Sequence, residues 1–364
     1  MENILENYER LAKVLVEHSC RVQKGEKVLI EFFATDSLFI EVLSKMIIDK
    51  GAYPIFWHHD NSYKKIQLKY GNEELFSLLA KYDSYVMQDV DAVMLIKGAK
   101  NTFEMSDIDI SQMASFDRCY NEVVHTKHRL SKKWVLLRFP CYALAQASQM
   151  SVDAFSKFFF DVCTLDYDKM HSDMLPLKSL MEKTDKVRIV GDETDLTFSI
   201  KGMNAVICSG ECNIPDGEIY TAPIRESING QIKFNVNMNI DGLFYPYILL
   251  KFKDGKVVEC SDARFDKVLD TDAGARYVGE FAFGVNKMVT RPYLDILFDE
   301  KMQGSIHMAL GSAYDDAFNG NTSAIHIDLI HCQKDQYGGG EIYFDDVLIR
   351  KNGEFVLEEL KNLN

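Results

Sequence analysis

KVLIEFFATDSLFIEVLSKMIIDKGAYPIFW, residues 27–57, is the segment from which the fold of the first half can be read. Its first seven residues, Lys27–Phe33, are almost continuously apolar and predict a strand buried on both faces. Asp36 and Ser37 could cap a helix over residues 38–49, and Pro54–Trp57 begins a second strand. A strand, a helix and a strand in this order predict a parallel α/β sheet with right-handed crossovers.

The same alternation continues along the first half. A helical stretch at 73–82 is followed by apolar strands at 92–96 and 134–138. A nucleotide-binding version of such a sheet needs a glycine-rich turn after its first strand, because backbone amides must approach the phosphates. Here that strand runs into Ala34-Thr35-Asp36, and the chain has no GxGxxG or GxxxxGK motif. A nucleotide- or cofactor-dependent enzyme is therefore the weaker alternative, and we interpret this half as scaffold or substrate wall.

The pattern changes near residue 185 to short strands with a period of two and frequent turns. The predicted strands are 197–200, 233–238 and 248–252. Asp254-Gly255 follows the last of them and predicts a hairpin. We therefore predict two domains: an α/β N-terminal domain with a mostly parallel sheet over 1–185, and an α+β C-terminal domain over 186–364.

Length and charge limit the classes of function. A chain of 364 residues has room for about two domains. Its 55 acidic against 41 basic residues give a formal charge of -14, which argues against a nucleic-acid partner because such binding relies on Lys and Arg.

Cellular location is also predicted from composition. The longest apolar run, 243–250, is far shorter than the roughly 18 residues that span a bilayer, so we expect no membrane segment. The first residues have neither a basic start nor an apolar core, which argues against a signal peptide. Eight cysteines without a CxxC pair are too few for a disulfide scaffold, and we expect a cytoplasmic protein.

Two predicted strands carry histidine on one face. In residues 323–330, Ile325, Ile327 and Leu329 alternate with His326 and Asp328. The imidazole and the carboxylate therefore share a face and could bind one metal ion, although a solvated polar face would explain this strand alone.

The second strand, residues 304–311, repeats the arrangement. His307 shares its strand face with the small residues Ser305 and Ala309. Ile306, Met308 and Leu310 form the opposite, apolar face. His331 falls on the apolar face of the first strand and is excluded as a ligand.

Several carboxylates could complete a metal site. Glu211 lies in a loop fixed by glycines and a proline, Glu280 lies among apolar residues, and Asp299 and Glu300 precede the strand of His307. A carboxylate is costly to bury unless a cation or a hydrogen-bond donor compensates its charge. For any one of these acids, a surface or capping role is the simpler interpretation, so the inference depends on the joint pattern.

Five segments together resemble one known family. They are RFPCYALAQASQMS (138–151), GECNIPDGEIYTAP (210–223), VGEFAFGVN (278–286), LFDEKMQGSIHMALGSAY (297–314) and NTSAIHIDLI (321–330). In this order they resemble the dinuclear metallo-aminopeptidases of the thermophilic type, represented by aminopeptidases T and S. The resemblance is strongest in the C-terminal half.

The resemblance implies a fold, a metal site and an assembly. It implies an α/β N-terminal domain, a separate C-terminal metal-binding catalytic domain, and homodimers. The implied ligands of two divalent cations are Glu211, Glu280, His307, His326 and Asp328, with Glu300 as a sixth. Tyr314 is implied to line the catalytic site. Because these ligands include no cysteine, the site suits Mn²⁺, Co²⁺ or Mg²⁺ as well as Zn²⁺.

The expected function is therefore a metallo-aminopeptidase that releases N-terminal amino acids from peptides with a free N-terminus. We expect Glu280 to bridge the cations, Glu211 or Glu300 to relay a proton, and Tyr314 to stabilise the oxyanion. The alternative is a non-catalytic metal- or peptide-binding homologue with the same fold.

The free α-amine of the substrate also needs a binding group. Four acids could provide it, although a solvated loop is the simpler interpretation of each: Asp216, Glu218, Asp315 and Asp316.

Overall fold

The computed structural model describes residues 4–240 and 243–364, and the chain divides into two compact units. The N-terminal unit consists of Met1–Leu165 and Gly210–Pro215, and the C-terminal unit of Asp166–Ser209 and Asp216–Asn364.

This division does not follow a single cut in the sequence. Residues 166–185, predicted in the first domain, belong to the C-terminal unit, whereas 210–215 belong to the N-terminal unit. The assignment of domains to 1–185 and 186–364 stays a prediction.

Strands are the more numerous elements. They are β1 (Lys27–Phe33), β2 (Tyr53–His59), β3 (Ala92–Lys97), β4 (Lys133–Arg138), β5 (Lys186–Gly191), β6 (Thr194–Ser199), β7 (Val206–Cys208), β8 (Asn213–Ile214), β9 (Glu218–Thr221), β10 (Asn229–Phe234), β11 (Met238–Ile240), β12 (Leu243–Tyr245), β13 (Ile248–Lys253), β14 (Lys256–Cys260), β15 (Val278–Gly284), β16 (Ser305–Gly311), β17 (His326–Cys332), β18 (Glu341–Phe344), β19 (Val347–Lys351) and β20 (Glu354–Phe355).

Most helices lie in the first half of the chain. The α-helices are α1 (Ile4–Lys13), α2 (Ser37–Asp49), α3 (Asn61–Tyr70), α4 (Glu73–Asp89), α5 (Ile110–Phe116), α6 (Tyr142–Ala147), α7 (Val152–Cys163), α8 (Tyr167–Met181), α9 (Ala263–Val268) and α10 (Ile296–Asp299), and π-helical segments cover Val14–Ser19 and Asp117–Thr126.

The N-terminal unit is built on one parallel sheet, with strand order β2-β1-β3-β4-β8. Val28, Leu29 and Ile30 of β1 have no exposed surface, because helices cover both faces of such a sheet. Asp36 caps α2 by accepting a hydrogen bond from the amide of Leu38. The predicted strand–helix–strand arrangement is confirmed.

The C-terminal unit is built on antiparallel sheets. One has eight strands, in the order β14-β13-β10-β6-β5-β18-β19-β20, and another has five, in the order β17-β16-β15-β9-β7. Both contribute to one hydrophobic core, which contains Ile232 and Leu250 from the larger sheet and Phe281 and Met308 from the smaller. With α8, α9 and α10, these sheets confirm the predicted fold class, an α/β N-terminal part followed by an α+β C-terminal part.

One strand prediction is wrong. Residues 233–238 do not form a single strand, because β10 ends at Phe234 and β11 begins at Met238. The side chain of Asn235 donates to the carbonyls of Cys332 and Tyr337 and accepts from the amide of Cys332. At Asn235 these bonds replace the hydrogen-bond pattern of β10. They join residues distant in sequence, so the local sequence pattern does not predict them.

The predicted hairpin is confirmed. Asp254 and Gly255 connect β13 to β14 with φ values of 48° and 81°, as a two-residue turn of this kind requires.

Candidate metal centre

The centre lies on one face of the smaller antiparallel sheet. In the register of β15, β16 and β17, Glu280 lies opposite Ala309, and Ala309 lies opposite Asp328. His326 lies opposite Gly311 on the same pair of strands. Small residues on the central strand therefore leave space between the acids and the imidazole, as the sequence predicted for the neighbours of His307.

The opposite face of these strands anchors them. Ile306, Met308 and Leu310 of β16 are fully buried in the hydrophobic core, together with Leu329 of β17. The predicted two-faced strands are confirmed. Burial of the apolar face fixes the register, and a slip by one residue would turn His307 into the core.

The first cluster of possible ligands consists of Glu280, His326 and Asp328. Nε2 of His326 lies 3.5 Å from Oδ1 of Asp328 and 3.6 Å from Oε2 of Glu280. We call this group the first cation position.

The second cluster consists of Glu218, Glu280 and His307, all buried. Nε2 of His307 lies 3.0 Å from Oε1 of Glu280 and 3.3 Å from Oε2 of Glu218. We call this group the second cation position. Glu280 thus belongs to both positions and turns a different carboxylate oxygen to each imidazole.

Both imidazoles are oriented from behind by backbone carbonyls. Nδ1 of His307 donates to the carbonyl of Glu300 at 3.2 Å, and Nδ1 of His326 donates to that of Ser312 at 2.8 Å. Because a carbonyl can only accept, these bonds place the Nδ1 proton and leave Nε2 directed at the carboxylates. A metal-binding histidine is typically oriented in this way.

Neighbouring charges shift the pKa values of the two histidines and of Asp328. Burial alone would lower the pKa of His307, but its hydrogen bond with Glu280 and the charge of Glu218 raise this pKa to about 9. The pKa of His326 likewise rises to about 10, because the interaction with Asp328 outweighs burial. Burial would raise the pKa of Asp328, yet its hydrogen bond with His326 lowers it to about 2.

The residues of the two positions fit divalent cations. Oε2 of Glu218 and Oε2 of Glu280 are buried and accept no hydrogen bond. A buried carboxylate oxygen without a donor is unfavourable, and a cation beside it would supply the missing interaction. Carboxylate and imidazole ligands suit Zn²⁺, Co²⁺, Mn²⁺ or Mg²⁺.

Sequence reasoning did not include Lys301 in the site, and it offered Glu218 only as a possible group for the substrate amine rather than as a metal ligand. Asp216 and Glu218 are buried, so their interpretation as a solvated loop is wrong, whereas Asp315 and Asp316 are exposed. The run Ile219-Tyr220-Thr221, made of β-branched and aromatic residues, is the signal that could have predicted β9 and with it the position of Glu218 in a strand.

Lys301 is a fully buried cation at the edge of the second position. Its Nζ lies 2.5 Å from Oε1 of Glu218, 2.7 Å from Oε1 of Glu300 and 3.7 Å from Oδ1 of Asp216. These carboxylates raise the pKa of Lys301 well above its ordinary value, against the effect of burial. The ammonium therefore stays charged at neutral pH.

Two predicted ligands lie outside these clusters. Glu300 contacts Lys301, and burial raises the pKa of its carboxyl to about 8. Glu211 belongs to the 210–215 segment of the N-terminal unit. Within residues 4–240 and 243–364, the groups whose side chains could share a metal ion contain neither Glu211 nor Glu300, and their roles as ligands stay predictions.

Tyr314 lies beside the first cation position. Its ring centroid is 4.6 Å from that of His326 and 5.8 Å from that of Tyr220. His331 lies apart from both positions, as predicted, and its Nδ1 donates to the carbonyl of Lys233.

The raised imidazole pKa values predict that cation binding depends on pH. At pH 7 both His307 and His326 carry an extra proton that a cation must displace. We expect the affinity for Co²⁺ or Zn²⁺ to rise as the pH increases from 7 toward 9, because the competing protons are lost. Isothermal titration calorimetry in buffers of different ionisation enthalpy measures the protons released. An affinity that is constant over this range would contradict the prediction.

Every helix among residues 4–240 and 243–364 falls short of the length and apolarity needed to cross a membrane. This finding agrees with the sequence prediction of no membrane segment.

The curated relatives of this chain are named as aminopeptidases. Aminopeptidase 2 of Geobacillus stearothermophilus is 22% identical over 84% of this chain and 83% of its own length. Aminopeptidase PepS of Streptococcus thermophilus is 24% identical over 98% of this chain and 100% of its own. Aminopeptidase T of Thermus thermophilus is 32% identical, but only over 32% of this chain and 33% of its own.

Two solved structures share the fold over nearly the whole chain. Wild-type AmpT from Thermus thermophilus superposes with a TM-score of 0.83 at 19% identity, covering 98% of this chain and 100% of that one. 2,5-Dihydroxypyridine dioxygenase from Pseudomonas putida KT2440 superposes with a TM-score of 0.64 at 12% identity, covering 99% and 100%.

The family itself is shown by a match along most of the sequence. The model of the family described as thermophilic metalloprotease (M29) matches residues 4–355. This chain therefore belongs to the thermophilic metalloprotease (M29) family.

Proposed function

We propose that this protein is a metal-dependent aminopeptidase that releases N-terminal amino acids through a water activated by two divalent cations. The family and the names of the relatives support the class of reaction. The observation that carries the two-cation centre is the placement of Glu280 between two imidazoles. Its Oε1 faces His307 and its Oε2 faces His326. A buried carboxylate placed in this way is suited to bridging two cations.

Each cation position has its own ligands besides the shared Glu280. His326 and Asp328 would hold the cation in the first position, and His307 and Glu218 the cation in the second. Two cations side by side repel each other, so anionic ligands are needed between and around them. Carboxylates outnumber imidazoles in this set, as that requirement demands.

Bound cations would lower the pKa of a water between them and polarise the scissile carbonyl. The protein must then stabilise the oxyanion and move a proton to the leaving amine. We assign the first task to the hydroxyl of Tyr314, whose ring lies tilted beside that of His326. For the second task, Glu211 and Glu300 both remain our proposed relays.

The proposal includes the substrate and the setting of the enzyme. Substrates are peptides with a free N-terminus, and the protein acts in the cytoplasm as a homodimer. The names of the relatives support the substrate class. The small number of cysteines and the lack of CxxC pairs support a reducing compartment.

An assay with chromogenic amides tests the proposed function. We expect the protein loaded with Co²⁺ or Zn²⁺ to release p-nitroaniline from Leu- or Ala-p-nitroanilide, and a chelator to abolish the release. N-acetyl-Leu-p-nitroanilide, which lacks the free amine, is the matched control and should not be cleaved. If metal binds but no amino-acid amide is hydrolysed, the protein is instead a non-catalytic metal- or peptide-binding homologue.

Two glutamates of one segment can be compared directly. Glu218→Gln removes a charge from the second cation position, and we expect it to weaken binding of one Co²⁺ by more than about tenfold. Glu211→Gln is the matched variant, and equilibrium dialysis with elemental analysis measures both. Loss of metal in Glu211→Gln alone would assign the ligand to Glu211 and contradict our choice of Glu218.

Tyr314→Phe removes only a hydroxyl. We expect kcat to fall by about 10²–10³, because an oxyanion loses one hydrogen-bond donor. The metal content should not change, and Tyr247→Phe, at an exposed tyrosine of the same unit, should leave kcat unaltered. A Tyr314→Phe enzyme that loses its metal would show that Tyr314 supports the ligands rather than the transition state.

A further inference from the structure

We propose that Lys301 is a built-in counter-ion that makes the two cation positions unequal, so that the second position binds its cation more weakly than the first. This inference rests on the proposed function, because it concerns the occupancy of the same centre. It is carried by the contacts of one buried ammonium group and by the carboxylates that it engages.

The contacts of Lys301 fall on one side of the centre. Its Nζ touches Glu218 and Glu300 within 2.7 Å. Its ion pairs are with Glu218, Glu300 and Asp216, whereas in the first position His326 pairs with Asp328 at 3.5 Å. The positive charge of Lys301 therefore acts mainly on the second position.

Lys301 changes the ligands that the second position can offer. It engages Oε1 of Glu218 and leaves Oε2 facing His307. It also binds Oε1 of Glu300. A cation in the second position thus meets one free oxygen of Glu218 rather than two, and Glu300 is held by the ammonium.

The backbone of Lys301 is held by hydrogen bonds, and its side chain is only 1% exposed. Its amide donates to the carbonyl of Phe298, and its carbonyl accepts from the amide of Asn286. Just before it, the buried carboxylate of Asp299 accepts from the amides of Tyr293 and Leu294. Gly284 lies so close to this turn that a Cβ there would come within 2.4 Å of the carbonyl oxygen of Met302.

The electrostatic consequence has a definite sign. A cation in the second position binds Glu218 through one oxygen while the ammonium binds the other, so two positive charges share one carboxylate. Their repulsion in a buried site weakens binding by at least roughly tenfold relative to the first position. Lys301 is thus a positioning residue, since it acts on the cation through Glu218 and Glu300.

Removal of the charge tests the inference through metal affinity rather than through activity. The probe is Co²⁺, titrated into chelator-treated protein, with visible absorption reporting coordination and elemental analysis reporting stoichiometry. We expect the wild-type protein to bind two Co²⁺ with affinities that differ by at least about tenfold. In Lys301→Met, the weaker affinity should rise about tenfold or more, and the stronger should change little.

Two further variants separate charge from structural damage. Lys301→Arg keeps the charge and should keep the unequal affinities. Arg350→Met is the matched control, because Arg350 is also fully buried in this unit but donates to Gln333 and to the carbonyl of Ser305 rather than to carboxylates. It should lower the thermal stability and leave both Co²⁺ affinities unchanged.

The outcomes are distinct. Two equal affinities in the wild-type protein overturn the inference even if Lys301→Met does not fold, and so does a Lys301→Met protein whose weaker affinity is unchanged. In both cases the proposed aminopeptidase stands. Folded wild-type protein that binds no Co²⁺ at all overturns the metal centre itself, and with it the proposed function.

Discussion

The candidate metal centre of the C-terminal unit is organised around a buried carboxylate that lies between two imidazoles. Glu280 is only 3% exposed, and its oxygens lie 3.0 Å from His307 and 3.6 Å from His326. Burial raises the pKa of this carboxyl, so the charged form must be stabilised by what surrounds it. The strand register that brings these three residues together is therefore also an arrangement that suits a divalent cation.

Local periodicity explains how much of this site could be predicted. A strand has a period of two, so the alternation around His307 and around His326 and Asp328 was enough to place them on polar faces with an apolar back. The parallel sheet of the N-terminal unit was predicted in the same way, from its short apolar strands and the capped helix between them.

Long-range pairing explains what was missed. Glu211 and Glu218 lie in one segment, and the pairing of Glu218 with Gly284 and Cys208 shows that Glu218 is the one that enters the smaller sheet. Lys301 has no local signal for its burial, because two of the acids that pair with it, Asp216 and Glu218, are distant in sequence. The fold alone does not decide the chemistry either, since a dioxygenase shares it with a TM-score of 0.64.

The charges of the centre account for the presence of a lysine beside a cation site. Five carboxylates lie in and around the two positions, at Asp216, Glu218, Glu280, Glu300 and Asp328. Together with one ammonium and two divalent cations, and with neutral imidazoles and an ionised Glu300, they form a group close to neutral. Without the ammonium, one carboxylate would remain uncompensated in a buried site, which is strongly unfavourable. Lys301 therefore supplies the positive charge that two cations leave unbalanced. It does so beside the second position, where it weakens the binding of a cation.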